Sequence, residues 1–104
     1  MSNPSKQKGT RFETEVAEYL GVERRTLGGS KDRGDLAIVN WALELKATRE
    51  IDLASAIDEA RVEAKNAKAP YFAAIVKRRR KGVSEAYFVM TLAEARRFLV
   101  QPDR

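Results

Sequence analysis

The chain has 104 residues, 43% of them hydrophobic and 34% charged, enough to build one ordinary domain without a disulfide or a structural metal. It has no cysteine and no histidine, which removes thiol catalysis, the usual zinc sites and Ser-His-Asp chemistry, and leaves carboxylates, lysine or a carboxylate-held metal. With 20 Lys and Arg against 15 Asp and Glu, the net charge of +5 favours a polyanionic partner, because basic side chains that displace counterions from phosphate supply most non-specific nucleic-acid affinity.

Residues 1–9 read as a flexible basic arm. They lack the apolar core of a signal peptide, and no apolar run approaches the roughly 20 residues of a spanning helix, so a cytoplasmic protein with no membrane contact is expected. Thr10 offers an oxygen to cap a helix running to Leu20, and Gly21 suits the left-handed position past its end. Val22 to Leu27 then reads as a short arginine-bearing strand, and Gly28 to Gly34 as a polar, glycine-rich loop.

Asp35 opens an apolar strand through Leu36, Ala37, Ile38 and Val39. After Asn40 a second strand runs from Trp41 to Ala47, and the two are predicted to form a hairpin. Asp52 caps a helix in which Leu53, Ala56, Ile57, Ala60, Ala64 and Ala67 keep helical spacing as far as Lys68. Pro70 ends it, and Tyr71 to Val76 is apolar enough for the centre of a sheet. A basic loop, Lys77 to Lys81, and Gly82 precede a strand from Glu85 to Met90. Thr91 with Glu94 is a capping box opening a last helix through Leu92, Ala95, Phe98 and Leu99. The predicted order is αβββαβ followed by βα, an α/β fold with a central mixed sheet flanked by helices. One domain spans residues 10–100, and 101–104 form a short tail.

The charged residues inside these apolar patterns carry the chemistry. At about 100° per residue, Glu13 falls between Leu20 and Ala17 within the apolar arc of the first helix, although a first-turn acid also suits the helix dipole. Strand alternation puts Glu44 and Lys46 on one face, with Leu43 and Leu45 on the other. With an even-numbered turn at Asn40, Ala37 faces Glu44 and Asp35 faces Lys46, so that Asp35 joins their face; an odd-numbered turn breaks this. Two carboxylates so placed can chelate a hard cation, and a neighbouring lysine can stabilise a phosphorane. The plain alternative is an exposed salt bridge between strands.

Gly34-Asp35, an intervening strand and Glu44-Leu45-Lys46 resemble the D…ExK core of the PD-(D/E)XK nucleases. Lys8-Gly9-Thr10-Arg11-Phe12-Glu13, Arg24-Arg25 and Gly28-Gly29-Ser30 are similar to the opening of archaeal and phage Holliday junction resolvases. The likeness covers about Lys8 to Arg78. It implies a restriction-endonuclease-like core and a Mg²⁺-dependent endonuclease, with Mn²⁺ able to substitute. It further implies a homodimer acting on four-way DNA junctions in recombination and repair, in a bacterial or phage-infected cell. Asp35 and Glu44 match the metal ligands, Glu13 the additional acid on the metal, Lys46 the catalytic lysine, and Arg25 and Ser30 the substrate contacts. Lys8, Arg11, Arg24, Lys31, Arg33, Arg78, Arg79 and Arg80 complete the expected DNA-binding set. Two positions depart from the pattern: Gly34 stands at the nominal proline, and Thr14 follows Glu13 where cellular resolvases often carry Arg.

Other readings compete. A repair or restriction-like nuclease would carry the same motif, a DNA-binding module could keep the fold without catalysis, and a basic protein-interaction domain is more remote. The run Lys77 to Lys81 reads either as a solvated hairpin tip or as a phosphate-contacting loop. Trp41, Tyr71, Phe72, Tyr87, Phe88 and Phe98 are expected as core or dimer contacts rather than base-stacking platforms.

Overall fold

The computed structural model of the chain describes residues 4–25 and 34–100, residues 4–8 by backbone only. Among the described residues the order is helix α1 (Pro4–Leu20), strand β1 (Trp41–Lys46), helix α2 (Leu53–Ala67), strand β2 (Tyr71–Val76), a 3-10 turn (Val83–Glu85), strand β3 (Tyr87–Val89) and helix α3 (Leu92–Leu99). β2 is the middle strand of a three-stranded mixed sheet, parallel to β1 from Trp41↔Tyr71 to Lys46↔Val76 and antiparallel to β3. Its burial from Phe72 to Val76 explains why its apolar run is continuous rather than alternating. α2 is the crossover that a parallel pair requires.

Helices cover both faces of this sheet. On one, Phe12, Val16 and Ala17 of α1 pack with Leu36, Leu43, Leu45, Ala73 and Ile75. On the other, Ala56, Ile57, Ala60 and Ala64 of α2 pack with Ala42, Phe72, Ala74 and Val76. The small alanine side chains let α2 lie close to β1 and β2. Asp52 caps α2 as expected, its carboxylate accepting the Ser55 amide at 3.1 Å. Among the described residues no helix is long and apolar enough to cross a membrane.

The structure departs from the sequence reading in four places. α1 begins at Pro4, not at a Thr10 cap. Proline is preorganised for the first helical position, and the Thr10 carbonyl accepts the Thr14 hydroxyl at 3.0 Å from inside the helix. Its far end is as predicted: Gly21 adopts φ 70, its amide bonds Glu18 O, and Val22 N bonds Ala17 O, which is a Schellman closure.

Among the described residues the two strands expected ahead of β1 contract to a single antiparallel bridge, Arg24↔Leu36, with Arg25 N donating to Asp35 O and Ala37 N to Glu23 O, both at 2.9 Å. In the run Leu36 to Val39 only Leu36 is fully buried, while Val39 is 84% exposed. The chain then turns on Trp41 N to Ile38 O and a left-handed Asn40. Without a second buried side chain and a continuous ladder, the apolar run does not make a strand. Residues 26–33, the remainder of the predicted strand and most of the glycine-rich loop, lie outside the described residues, as does the 101–104 tail.

The strand predicted from Glu85 to Met90 shortens to β3, because the Val83–Glu85 turn takes its first residue. The last helix is capped by Thr91, whose hydroxyl accepts the Glu94 amide at 3.2 Å, but it buries none of its residues. It is held through Phe98, stacked 5.8 Å from Trp41 and edge-on to Tyr71 at 5.1 Å, and through Arg97, which donates to Pro70 O at 2.7 Å.

Candidate active site

Gly34, with φ 100, passes so close to β1 that an added Cβ would stand 3.0 Å from Leu43 N, a conformation and an approach that glycine alone tolerates without strain. This close passage sets Asp35 on the edge of β1 that β2 leaves open. The Asp35 amide donates to Leu43 O at 2.9 Å, and its carboxylate accepts the Leu45 amide at 2.8 Å. Asp35 therefore stands opposite Leu43 and Leu45 and not, as the hairpin parity suggested, opposite Lys46. The reason is that the Asp35 to Ala37 stretch pairs with residues 23–25 on its other side and leaves the β1 edge after Asp35.

This position still sets the Asp35 carboxylate beside the backbone of Glu44. The Leu45 nitrogen lies roughly 2.4 Å from the Glu44 Cα by standard peptide geometry, so the bound carboxylate oxygen stands within about 5 Å of that Cα. The two acids approach from different directions, Asp35 in the plane of the sheet and Glu44 from its α2-covered face. Glu44 is 8% exposed. Lys46, two residues on and on the same face, places Nζ 3.6 Å from Glu44 Oε1 and 2.9 Å from Glu59 Oε2. Burial works to lower the Lys46 pKa, but the hydrogen bond to Glu59 and the negative charges of Glu44 and Glu59 outweigh it and hold the ammonium above its ordinary value.

Glu13 is on α1, in the layer opposite α2, and pairs with Arg24 at 2.8 Å. Among the described residues no three acidic side chains assemble into a metal-holding group, so the expected set of Glu13, Asp35 and Glu44 is not gathered. Asp35 and Glu44 remain. Two hard carboxylate oxygen donors suit a cation of the magnesium kind, whose shell is completed by water and phosphate.

Sequence reasoning missed Glu59 and Glu63. They stand one turn apart on the flank of α2 that faces Lys46, while Arg61 on the opposite flank covers the Phe72 ring of β2 at 5.0 Å. Glu63 is 3% exposed, an unusual position for a carboxylate. On a helical wheel it adjoins Ala56 at the rim of the apolar arc, a weaker form of the signal that singled out Glu13 inside the arc of the first helix.

The expected DNA-binding residues divide into three groups. The Lys8 side chain, Ser30, Lys31 and Arg33 lie outside the described residues. Arg24 is engaged by Glu13, and Arg25 bonds Asp35 O through its backbone amide. Arg78 pairs with Glu85 at 3.1 Å and stands 5.8 Å from the Tyr87 ring centre, whereas Arg11, Arg79 and Arg80 are exposed. Because β1 and β2 are parallel, Lys77 follows β2 at the end of the sheet where Lys46 closes β1, and the Lys77 amide donates to Lys46 O at 2.9 Å. The basic loop thus emerges beside Lys46.

The chain matches no family model, no curated protein and no solved structure.

Of the aromatic residues expected as core or dimer contacts, Phe72 is buried, whereas Tyr87, Phe88 and Phe98 are each about half exposed. Trp41 gathers Tyr71, Phe88 and Phe98 around itself at 5.1, 5.6 and 5.8 Å. Trp41 and Tyr71 stand where β1 and β2 begin, and Phe88 reaches Trp41 from β3, where it pairs with Ile75. An apolar groove of about 320 Å³ between α1 and β3, lined by Tyr19, Leu20, Trp41, Leu43 and Phe88, offers no carboxylate or cation for chemistry.

Proposed function

We propose that this protein is a metal-dependent endonuclease that hydrolyses DNA phosphodiesters, built on a restriction-endonuclease-like core and acting on four-way junctions as a homodimer. The observation that carries the reading is the placing, on the second half of β1, of Asp35 at the Leu45 amide, Glu44 beside that amide in the chain, the ammonium of Lys46 and the root of the 77–81 basic loop. Acids placed where a polyanion must approach are costly to a protein that only binds, and they make sense if a cation stands between them and phosphate.

Asp35 and Glu44 would hold Mg²⁺, or Mn²⁺ in its place. Bound there, such an ion makes a water more acidic and neutralises charge on the attacked phosphate. Lys46 supplies a fixed positive charge at the same end, where negative charge grows in the transition state. Arg79 and Arg80 hold the backbone phosphates without reading bases. One chain carries one site, so paired incisions across a junction require two chains related by a two-fold axis.

Cleavage of a four-way junction, a flap, a linear duplex and single-stranded DNA, each with and without Mg²⁺, tests the reading. Junction cutting that requires the metal and is lost in Asp35→Asn supports it, and no cutting of any substrate refutes it. Preference for another DNA form would make the protein a repair or restriction-like nuclease. Sedimentation with and without a junction tests the dimer.

A second reading, a DNA-binding module without catalysis, is favoured by one observation: Lys46 is already engaged by Glu59 and Glu44. Tight junction binding with no metal-dependent cleavage would select it.

A further inference from the structure

Lys46 Nζ stands between two carboxylates from different elements, Glu44 of β1 at 3.6 Å and Glu59 of α2 at 2.9 Å. The shorter contact, with hydrogen-bond geometry, is to the helix. Glu59 has no packing reason to be there, because its side chain is half exposed and the close fit of α2 to the sheet rests on Ala56, Ala60 and Ala64. The long lysine stem gives Nζ a wide range of positions, and the separation from Glu44 shows which partner holds it. Remove Glu59, and the carboxylate already 3.6 Å from the ammonium is Glu44, largely buried and hence a strong attractor. Lys46 would then close on Glu44 and neutralise the oxygens that the proposed reading assigns to the metal.

We infer that Glu59 is a positioning residue that draws the Lys46 ammonium away from Glu44, leaving the Glu44 carboxylate open to a divalent cation and Lys46 poised beside it. The inference rests on the nuclease reading of this site. It adds a residue of α2 to the machinery, and it gives the Lys46–Glu59 pair a task that an ordinary surface salt bridge does not have.

Binding of Mn²⁺ to the full chain without DNA, followed by the electron paramagnetic resonance of the free ion, tests it directly. Glu59→Ala should weaken binding on the order of two- to fivefold, the range one exposed ion pair supports. Glu59→Gln, which keeps an oxygen to accept the lysine, should fall between that and wild type. The deciding measurement repeats Glu59→Ala in a Lys46→Met background, where no ammonium is left to close on Glu44 and the weakening should vanish.

In cleavage at saturating metal, Glu59→Ala should lower kcat and leave KM near wild type, since a misplaced lysine costs transition-state stabilisation. Equal weakening of Mn²⁺ in both backgrounds would mean that Glu59 acts through its own charge on the ion, and would overturn the inference. So would wild-type Mn²⁺ affinity in Glu59→Ala. A wild-type protein that neither binds Mn²⁺ nor cuts DNA would instead bring down the reading of the site on which the inference stands.

Discussion

The carboxylate of Asp35 accepts the amide of Leu45 at 2.8 Å, closing onto β1 a stretch of chain that is not itself a strand. The same side chain thus fastens residues 34–38 to the sheet and sets an acid beside Glu44. On the proposed nuclease reading structural and chemical roles coincide in it, and substitution can separate them.

Asparagine at position 35 keeps an oxygen for the Leu45 amide, whereas alanine leaves that amide without its acceptor. Asp35→Asn should therefore cost little stability, and Asp35→Ala about 2 kcal/mol, the scale of a hydrogen bond to a charged group. Both should abolish Mg²⁺-dependent cleavage, as should Glu44→Gln, with DNA binding retained. Denaturant titration together with a cleavage assay checks this, and turnover near wild type in Asp35→Asn would remove Asp35 from the site.

Gly34→Ala places a Cβ 3.0 Å from Leu43 N at a residue with φ 100. The strain should cost about 1–3 kcal/mol, relieved only by moving the chain away from β1 and carrying Asp35 with it. Cleavage should fall further than the loss of folded protein explains, as measured by turnover per folded molecule. A variant as stable and active as wild type would show that the close passage does not matter.

Arg79 and Arg80 are exposed, whereas Arg78 is tied to Glu85 and lies near the Tyr87 ring. Replacing Arg79 and Arg80 with alanine should weaken binding to every DNA sequence alike and reduce the salt-dependence slope by about 2. Arg78→Ala should chiefly loosen the loop. Binding isotherms across a salt series separate the two, and an unchanged slope for the double variant would return the loop to a solvated tip.

The Asp52 carboxyl is held below its ordinary value of 3.8 by the hydrogen bonds from the Ser55 amide and hydroxyl. A lowered folded-state pKa adds stability that is present above the unfolded value and lost as pH falls through the folded one. The melting temperature of Asp52→Ala should lie below wild type at neutral pH, and the gap should narrow below pH 3.8. A gap independent of pH would mean that the cap works without its charge.

Much of the architecture was legible in the amino-acid order because it depends on local periodicity and on end signals. The alanine stripe from Ala56 to Ala64 with Asp52 before it defines α2, the unbroken apolar run from Phe72 to Val76 marks a central strand, and Gly21 closes α1. Glu44 and Lys46 share a face because strand alternation permits nothing else. Each of these is decided within a single helix or a single strand.

Tertiary structure decided what reaches across that distance. Leu36 to Val39 has the composition of a strand, but the chain finds ladder partners only at Leu36 and turns away, so Asp35 meets Leu43 and Leu45 and the expected pairing with Lys46 is lost. Glu13 and Glu63 give a similar signal on a helical wheel, an acid inside or beside an apolar arc, yet α1 and α2 cover opposite faces of the sheet and only α2 stands over Glu44 and Lys46. A helical pattern states which side of a helix is buried, but which face of the sheet it is buried against follows from the packing of the whole chain.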